Sequence, residues 1–381
     1  MNILIVCHFG MYRDFSSSFV HAQAKAYAAL GHRVRAVIPI ATGKGDWDGK
    51  RMSSPPQKRE IDGVELFPVR YLSISKYGEA RFNTASALRA VRNRLAALLD
   101  GFAPDVIHAH TLGFDSEIGA WLKERLGIPL VVTTHGSDTS IPVERGQAAS
   151  LKPYCDRADA VVAVSSALAG KVHSCGTLTP ISVILNGFNV HDLPERQERE
   201  RLSLIQAGNL QEQKRPGVTL RAFAALRRSY PDATLCFVGQ GPERSRLESM
   251  SRELGVSGWV RFTGQLPNPD VLAELSRARF FILPSVREGF GIVYLEAMAC
   301  GCVTIGTEGE GIADLIVSGK NGFLVPLDDP DAIVRAVEWC LGHPEETAVI
   351  AEKGRRDALS LTWEKNAAEY TKLFKELRHG N

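Results

Sequence analysis

The chain has no apolar run long enough to span a bilayer, and its first strand-like segment, Asn2-Ile3-Leu4-Ile5-Val6, is not part of a basic, apolar and cleavable leader. A cytoplasmic location is therefore expected. It has no cysteine framework either. The seven cysteines, Cys7, Cys155, Cys175, Cys236, Cys300, Cys302 and Cys340, are odd in number and scattered, which argues against a disulfide scaffold and against zinc spacing. Charge of one sign is not in excess: 45 Lys and Arg against 43 Asp and Glu leave +2, so the electrostatic case for a nucleic-acid partner is missing. A complete dinucleotide fingerprint is also absent. Gly239-Gln240-Gly241 has Arg244 where a third glycine is needed, and Cys7 to Tyr12 supply no such pattern after the first strand. A two-domain nucleotide-dependent oxidoreductase is thereby disfavoured. Metal signals are weak as well. Asp46-Trp47-Asp48 sits in a Gly- and Lys-rich loop with no strand before it, His108-Ala109-His110 lacks a third ligand, and no metal or other cofactor is expected.

What is present is an alternation of short β-branched runs with longer helical patterns, which predicts an α/β protein with parallel sheets covered by helices. A length of 381 residues with 44% apolar content exceeds what one core serves and suits two domains. Strands are expected at 2–6, 34–38, 105–109, 130–134, 160–164 and 181–185, then at 202–207, 233–238, 260–263, 280–283, 303–305 and 323–325. The polar stretch 192–201, with Pro194, reads as a linker, which divides the chain into 1–190 and 191–362. A last helix over 363–381 carries an apolar stripe of Trp363, Tyr370, Leu373, Phe374 and Leu377 that needs a surface to dock on.

The most informative segment is Glu288-Gly289-Phe290-Gly291-Ile292-Val293-Tyr294-Leu295-Glu296. Phe280 to Leu283 precede it as a buried strand, and Ile292 to Cys300 follow as a helix stopped by Gly301. Strand, glycine loop and helix mouth together attract a phosphate, with Gly291 allowing close approach and the first helical amides, at Ile292 and Val293, facing outward. Carboxylates on either side of that phosphate, Glu288 and Glu296, suit neutral hydroxyls, so the pattern describes a sugar nucleotide.

This E-x7-E segment, followed by Ala297-Met298-Ala299-Cys300-Gly301, resembles the signature of retaining, GT-B-fold glycosyltransferases of family 4. Later segments resemble the same family in order: Gly239-Gln240-Gly241-Pro242-Glu243, Phe262-Thr263-Gly264-Gln265, Gly309-Glu310-Gly311-Ile312 and Asn321-Gly322-Phe323-Leu324-Val325. So do Gly31-His32, Asp105 to His110, Thr134-His135-Gly136-Ser137-Asp138 and Leu185-Asn186-Gly187 in the first half. The variants look most like bacterial surface-polysaccharide enzymes of the teichuronic acid type. The resemblance implies two doubly wound Rossmann-like domains facing across a cleft, an acceptor domain first and a nucleotide-sugar domain second, with the last helix crossing back to the first.

It also implies roles. His135 would contact the donor sugar and stabilise positive charge at its anomeric carbon, Glu288 would hold sugar hydroxyls, Glu296 the ribose, and Lys214 the diphosphate together with Gly291, Ile292 and Val293. Gly10, Asn209, Gly239, Gly264, Gln265 and Phe290 complete the implied donor site, Asn209 standing where the family usually carries arginine. Transfer of a hexose from a nucleoside-diphosphate sugar to a sugar or lipid-linked acceptor hydroxyl, in polysaccharide or glycolipid assembly, is the implied reaction. A phosphorylase on the same fold and the oxidoreductase are the alternatives. Residues 81–99, with Arg81, Arg89, Arg92 and Arg94 around Phe82, Leu88, Val91, Leu95 and Leu98, read as an amphipathic helix. Its arginines either face solvent or hold the first domain against anionic lipid at the inner face of a membrane.

Overall fold

Runs such as Ile3-Leu4-Ile5-Val6 form strands because their side chains can be buried on both faces of a parallel sheet, and all four are fully buried. The computed structural model describes residues 1–8, 19–42, 59–73, 80–190, 193–195 and 202–379, with the side chains of 80 and 81 excepted. Unit 1 comprises Met1–Leu185 with Trp363–Asn381, and unit 2 Asn186–Thr362. The first division falls at 185/186, ahead of the expected 190/191, while most of the expected linker 192–201 lies outside the described residues.

Unit 1 holds β1 (Asn2–Val6), β2 (Arg33–Thr42), β3 (Arg59–Ile61), β4 (Val64–Leu72), β5 (Val106–Ala109), β6 (Leu130–Thr134), β7 (Ala160–Ala163) and β8 (Ile181–Val183). Their order is β3-β4-β2-β1-β5-β6-β7-β8, parallel except for the β3–β4 hairpin. The hairpin departs from the strands expected from sequence. Pro68 inside β4 argues against a strand, yet Asp62 and Gly63 carry φ of 51° and 76°, the pair of positive angles that a two-residue hairpin turn requires. Strand order reverses between β1 and β5, so the carboxyl ends of these two strands flank the crevice where doubly wound sheets take ligands.

Unit 2 holds β9 (Ser203–Ala207), β10 (Thr234–Val238), β11 (Val260–Gly264), β12 (Phe280–Ile282), β13 (Val303–Thr307) and β14 (Phe323–Val325), in the order β11-β10-β9-β12-β13-β14. All described strand–strand ladders are parallel, and order reverses between β9 and β12.

The last helix, Trp363–His379, returns to unit 1. It packs on the helix Phe19–Ala29, with the Tyr27 ring 5.8 Å from Phe374 and 6.4 Å from Tyr370. Trp363, Tyr370 and Phe374 are buried, worth about 1.5–3 kcal/mol for each large apolar side chain. The Gln23 amide donates to Asn366 Oδ1 at 2.6 Å, and Asn366 Nδ2 donates to the Leu185 carbonyl at 2.8 Å. The basic segment 81–99 is two helices, Ala80–Asn93 and Leu95–Leu99, broken at Arg94. Phe82 is exposed there rather than inward, Val91 and Leu98 are buried, and the Arg92 and Arg94 guanidinium groups lie 5.3 Å and 5.2 Å over the rings of Trp121 and Phe67. Among the described residues no helix is long and apolar enough to cross a membrane.

Candidate functional site

In unit 2 the loops after β9 and β12 meet at the reversal of strand order. The turn Glu212–Lys214 follows β9 and is tied to the β12 loop by the Val286 amide, which donates to the Gln213 carbonyl at 2.8 Å. Gln206 Nε2 donates to the Lys214 carbonyl at 2.8 Å, fixing the same turn from the strand. This brings the Lys214 ammonium onto Glu288 Oε2, an ion pair between side chains only 17% and 15% exposed. The pairing removes a difficulty in the sequence pattern, where Glu288 beside a phosphate site would repel it. Arg215, which stands next to Lys214, pairs with Asp328 at 3.0 Å.

The helix Ile292–Ala299 opens behind this pair. Gly291 at its N-cap has φ +80°, and a Cβ there would lie 2.8 Å from the Tyr294 ring, so no other residue fits without displacing that ring. Tyr294 is itself held, its hydroxyl donating to the Leu283 carbonyl and lying 3.2 Å from Ser285 Oγ. Gly311 serves the loop from the other side: a Cβ would fall 1.9 Å from the Gly289 carbonyl oxygen, and the neighbouring Glu310 Oε2 accepts from the Glu288 amide at 3.0 Å. Glu288 is thus aimed by its backbone as well as by its ion pair. Glu296 is half-buried on the same helix, and Asn268 Nδ2 donates to its Oε1 at 2.8 Å. Burial raises its pKa above the usual carboxylate value, against the lowering by Asn268.

The remaining donor-site candidates divide. Asn209 and Gln265 are exposed, and Gln265 Oε1 accepts from Gln240 Nε2 at 2.8 Å. Gly239 and Gly264 form a bridge in which the Gly239 amide donates to the Gly264 carbonyl at 2.8 Å. A Cβ on Gly239 would sit 2.1 Å from the Gly208 oxygen, so close packing of the loops after β9 and β10 already requires a glycine there. Phe290 is 1% exposed and its ring belongs to the core, which leaves only its backbone for a ligand. Ile292 and Val293 open the helix and are partly exposed. Gly10, Asp46 and Asp48 lie outside the described residues.

In unit 1, His135 follows β6 and is partly exposed. Asp138, four residues after Thr134, organises the turn: its Oδ1 accepts from the amides of His135 and Gly136 at 3.2 Å and 3.1 Å, and its Oδ2 from the Leu112 amide at 3.0 Å. His135 Nε2 lies 3.2 Å from His110 Nδ1, and burial pushes its pKa down to about 3, so the ring is neutral near pH 7. A second pair was not visible in the sequence. His8, two residues after β1, meets Asp115, in the first turn of the helix Phe114–Leu126 that follows β5, at 2.9 Å; Thr111 Oγ1 also donates to Asp115 Oδ2, at 3.0 Å. The two residues are far apart in the chain, and only strand order brings them to the unit 1 crevice. Burial lowers the His8 pKa, but Asp115 raises it further, for a net upward shift.

Residues 193–357 match the family described as glycosyl transferases group 1, and residues 16–192 match glycosyltransferase family 4. A GDP-mannose-dependent alpha-(1-6)-phosphatidylinositol monomannoside mannosyltransferase from Mycolicibacterium smegmatis is 31% identical over 268 residues, 64% of this chain and 69% of that protein. The chain belongs to glycosyltransferase family 4. A D-inositol 3-phosphate glycosyltransferase from Corynebacterium urealyticum is 33% identical over 177 residues, 45% of this family 4 chain and 42% of the relative. Solved structures agree on the GT-B fold. Sucrose-phosphate synthase from Thermosynechococcus elongatus superposes over 100% of both chains with a TM-score of 0.82 at 19% identity. Anabaena HepE in complex with UDP-glucose gives 0.74 at 18% identity over 99% of this glycosyltransferase and 100% of that chain.

Proposed function

We propose that this glycosyltransferase moves a hexose-type sugar from a nucleoside-diphosphate donor to an acceptor hydroxyl with retention of configuration and without a divalent metal. The observation that carries the reading is the Lys214–Glu288 ion pair beside the Gly291 helix mouth, at the reversal of strand order in unit 2. Without donor the two charges satisfy one another. With donor, the ammonium turns to the diphosphate, joined by the amides at Gly291, Ile292 and Val293, and the carboxylate is released to the sugar hydroxyls. Glu296, steadied by Asn268, holds the ribose hydroxyls. His135, kept neutral by burial, is the residue we assign to the donor sugar. The acceptor oxygen bonds to the anomeric carbon on the face the diphosphate leaves, and a phosphate oxygen of the leaving group takes the acceptor proton, so no side-chain base is needed.

Support for the donor class comes from the fold shared with HepE, solved with UDP-glucose, and from the mannosyltransferase relative whose name specifies GDP-mannose. We place the activity in surface polysaccharide or glycolipid assembly on the cytoplasmic side of a membrane, with a lipid-linked or sugar acceptor and a peripheral contact through exposed Arg89 and Arg92. Incubation with a panel of nucleotide sugars and an acceptor mixture, with and without inorganic phosphate, tests this. Release of nucleoside diphosphate that needs acceptor and keeps the anomeric configuration is expected. Release that needs inorganic phosphate, or no release with any donor, refutes it.

A further inference from the structure

The loops at the carboxyl ends of the unit 2 strands carry the donor candidates, but the amino ends of the same strands frame a separate cavity. Its volume is about 490 Å³, and it is lined by the first residues of β9, β10 and β11 together with the end of the helix Asn268–Arg277. The length of β9 or β10, at about 3.3 Å per residue, puts it roughly 13 Å from the donor end of the sheet. The two places are distinct.

The alternation along β10 makes the space. Thr234 and Cys236 are partly exposed on the cavity face, where Cys236 is level with Arg261 of β11, while Leu235 and Phe237 are buried on the opposite face. Small side chains leave room here that large ones fill on the other side. Glu274 closes one wall. Its side chain is only 13% exposed, accepts from Arg261 Nη1 at 3.2 Å and lies 3.7 Å from Arg277 Nη1, whereas the two arginines are 56% and 58% exposed. The carboxylate is covered by its partners, so the cavity turns a positive rim to solvent. Trp259, 47% exposed, forms the far end. The Arg227 guanidinium, anchored on the Ala233 carbonyl at 3.1 Å, lies 3.6 Å from the centre of its ring and fixes it from one side.

The volume falls within the range of about 300–1,000 Å³ that takes small ligands, and the lining narrows their class. A fixed indole offers a flat apolar surface to the C–H face of a sugar ring, and planar guanidinium groups offer paired donors to a carboxylate or phosphate. An acidic saccharide uses both. An inorganic anion would leave the indole idle, and a neutral glycan would leave the positive rim unanswered.

We propose that this cavity is a second saccharide site, which holds an acidic sugar of the acceptor chain at a distance from the donor. That use rests on the reading of the reaction as glycan assembly; the binding itself does not. A chain tethered here meets the reacting site at a raised effective concentration, without any new contact to the donor.

The test uses the full chain labelled with 15N-tryptophan, with the Trp259 indole N–H assigned by its loss in Trp259→Phe. Oligomers of galacturonic acid, neutral maltooligosaccharides of the same length and inorganic phosphate are titrated in turn. Expected is a saturable shift of the Trp259 signal with the galacturonic oligomers at millimolar concentration or below. Binding should weaken at least tenfold in Arg261→Gln/Arg277→Gln and stay within about twofold of native in Arg252→Gln/Arg335→Gln, which removes the same charge from exposed positions elsewhere on unit 2. In transfer to a long acidic acceptor, Trp259→Ala should raise acceptor KM at least fivefold, with kcat and nucleoside diphosphate affinity within about twofold. A Trp259 signal that no galacturonic oligomer moves in the native chain overturns the proposal whether or not the variants fold. An equal response to phosphate or to maltooligosaccharide, or equal weakening in both arginine pairs, overturns it too. If no donor supports transfer, the proposed function fails while the titration still decides this site.

Discussion

The Lys214–Glu288 pair yields the sharpest prediction, because its two partners respond in opposite directions to ligand. Both side chains are about one-sixth exposed, so the pair lies between a buried one, whose rupture costs about 3–5 kcal/mol, and a surface one worth about 0–1 kcal/mol. Lys214→Met and Glu288→Gln should each destabilise unit 2 by about 1–3 kcal/mol, and the double variant by less than the sum, with a coupling of about 1–2 kcal/mol. Denaturant unfolding read by hydrogen exchange on unit 2 peptides assigns the loss to the correct unit. Binding separates the roles. Lys214→Met should weaken nucleoside diphosphate by about 1.5–3 kcal/mol, roughly 10- to 150-fold, for a lost charge-assisted contact. Glu288→Gln frees the ammonium from its competitor, so nucleoside diphosphate should bind as well as before or better, while transfer slows by a similar factor. Additive stability losses, or equal weakening of nucleotide binding in both variants, would refute the reasoning.

Glu296→Gln should weaken nucleoside diphosphate binding in titration calorimetry, yet raise the melting temperature at pH 7. A carboxyl whose folded pKa is raised loses stability as pH rises through that value, so the gain should vanish below about pH 4. For His8, whose folded pKa is raised by Asp115, the stabilisation is complete below the ordinary histidine value and is lost as pH rises through the folded one. The stability gap between native chain and Asp115→Asn should therefore narrow from pH 6.5 to 8.5; a constant gap would detach the pair from titration. Chelator should leave transfer intact, and activity restored by magnesium or manganese after chelation would reopen the case for a metal. Anionic vesicles should retain the protein at low salt and release it at high salt, with loss in Arg89→Gln/Arg92→Gln; unchanged retention would return these arginines to a solvated surface.

The strands expected from sequence all exist, because each is a short, largely apolar run, and such runs have little choice in a covered parallel sheet. The β3–β4 hairpin was hidden by Pro68, although Asp62-Gly63 carried its turn signal. Glu288 and Glu296 were legible because one strand, one glycine loop and one helix hold both. The pairings were not: Lys214, named from the sequence for the diphosphate, is 74 residues from Glu288, Asn268 is 28 from Glu296, and Asp115 is 107 from His8. Gly239, read from sequence as a donor-site glycine, and Gly311, quoted for the family resemblance, are both required by backbone passing close to backbone. A sequence motif merges those two demands, and only coordinates separate them.

The return of the last helix to unit 1 makes the domain that begins the chain the one that is finished last. During synthesis, unit 2 can complete its sheet and helices as soon as residue 362 is free, while the partner face of the Phe19–Ala29 helix, with Tyr27 and Gln23, waits for Tyr370, Phe374 and Asn366. A premature stop near residue 362 would thus spare the later-made unit and leave the earlier-made one with an apolar face open to water, a fragment that chaperones and proteases would recognise by its first domain.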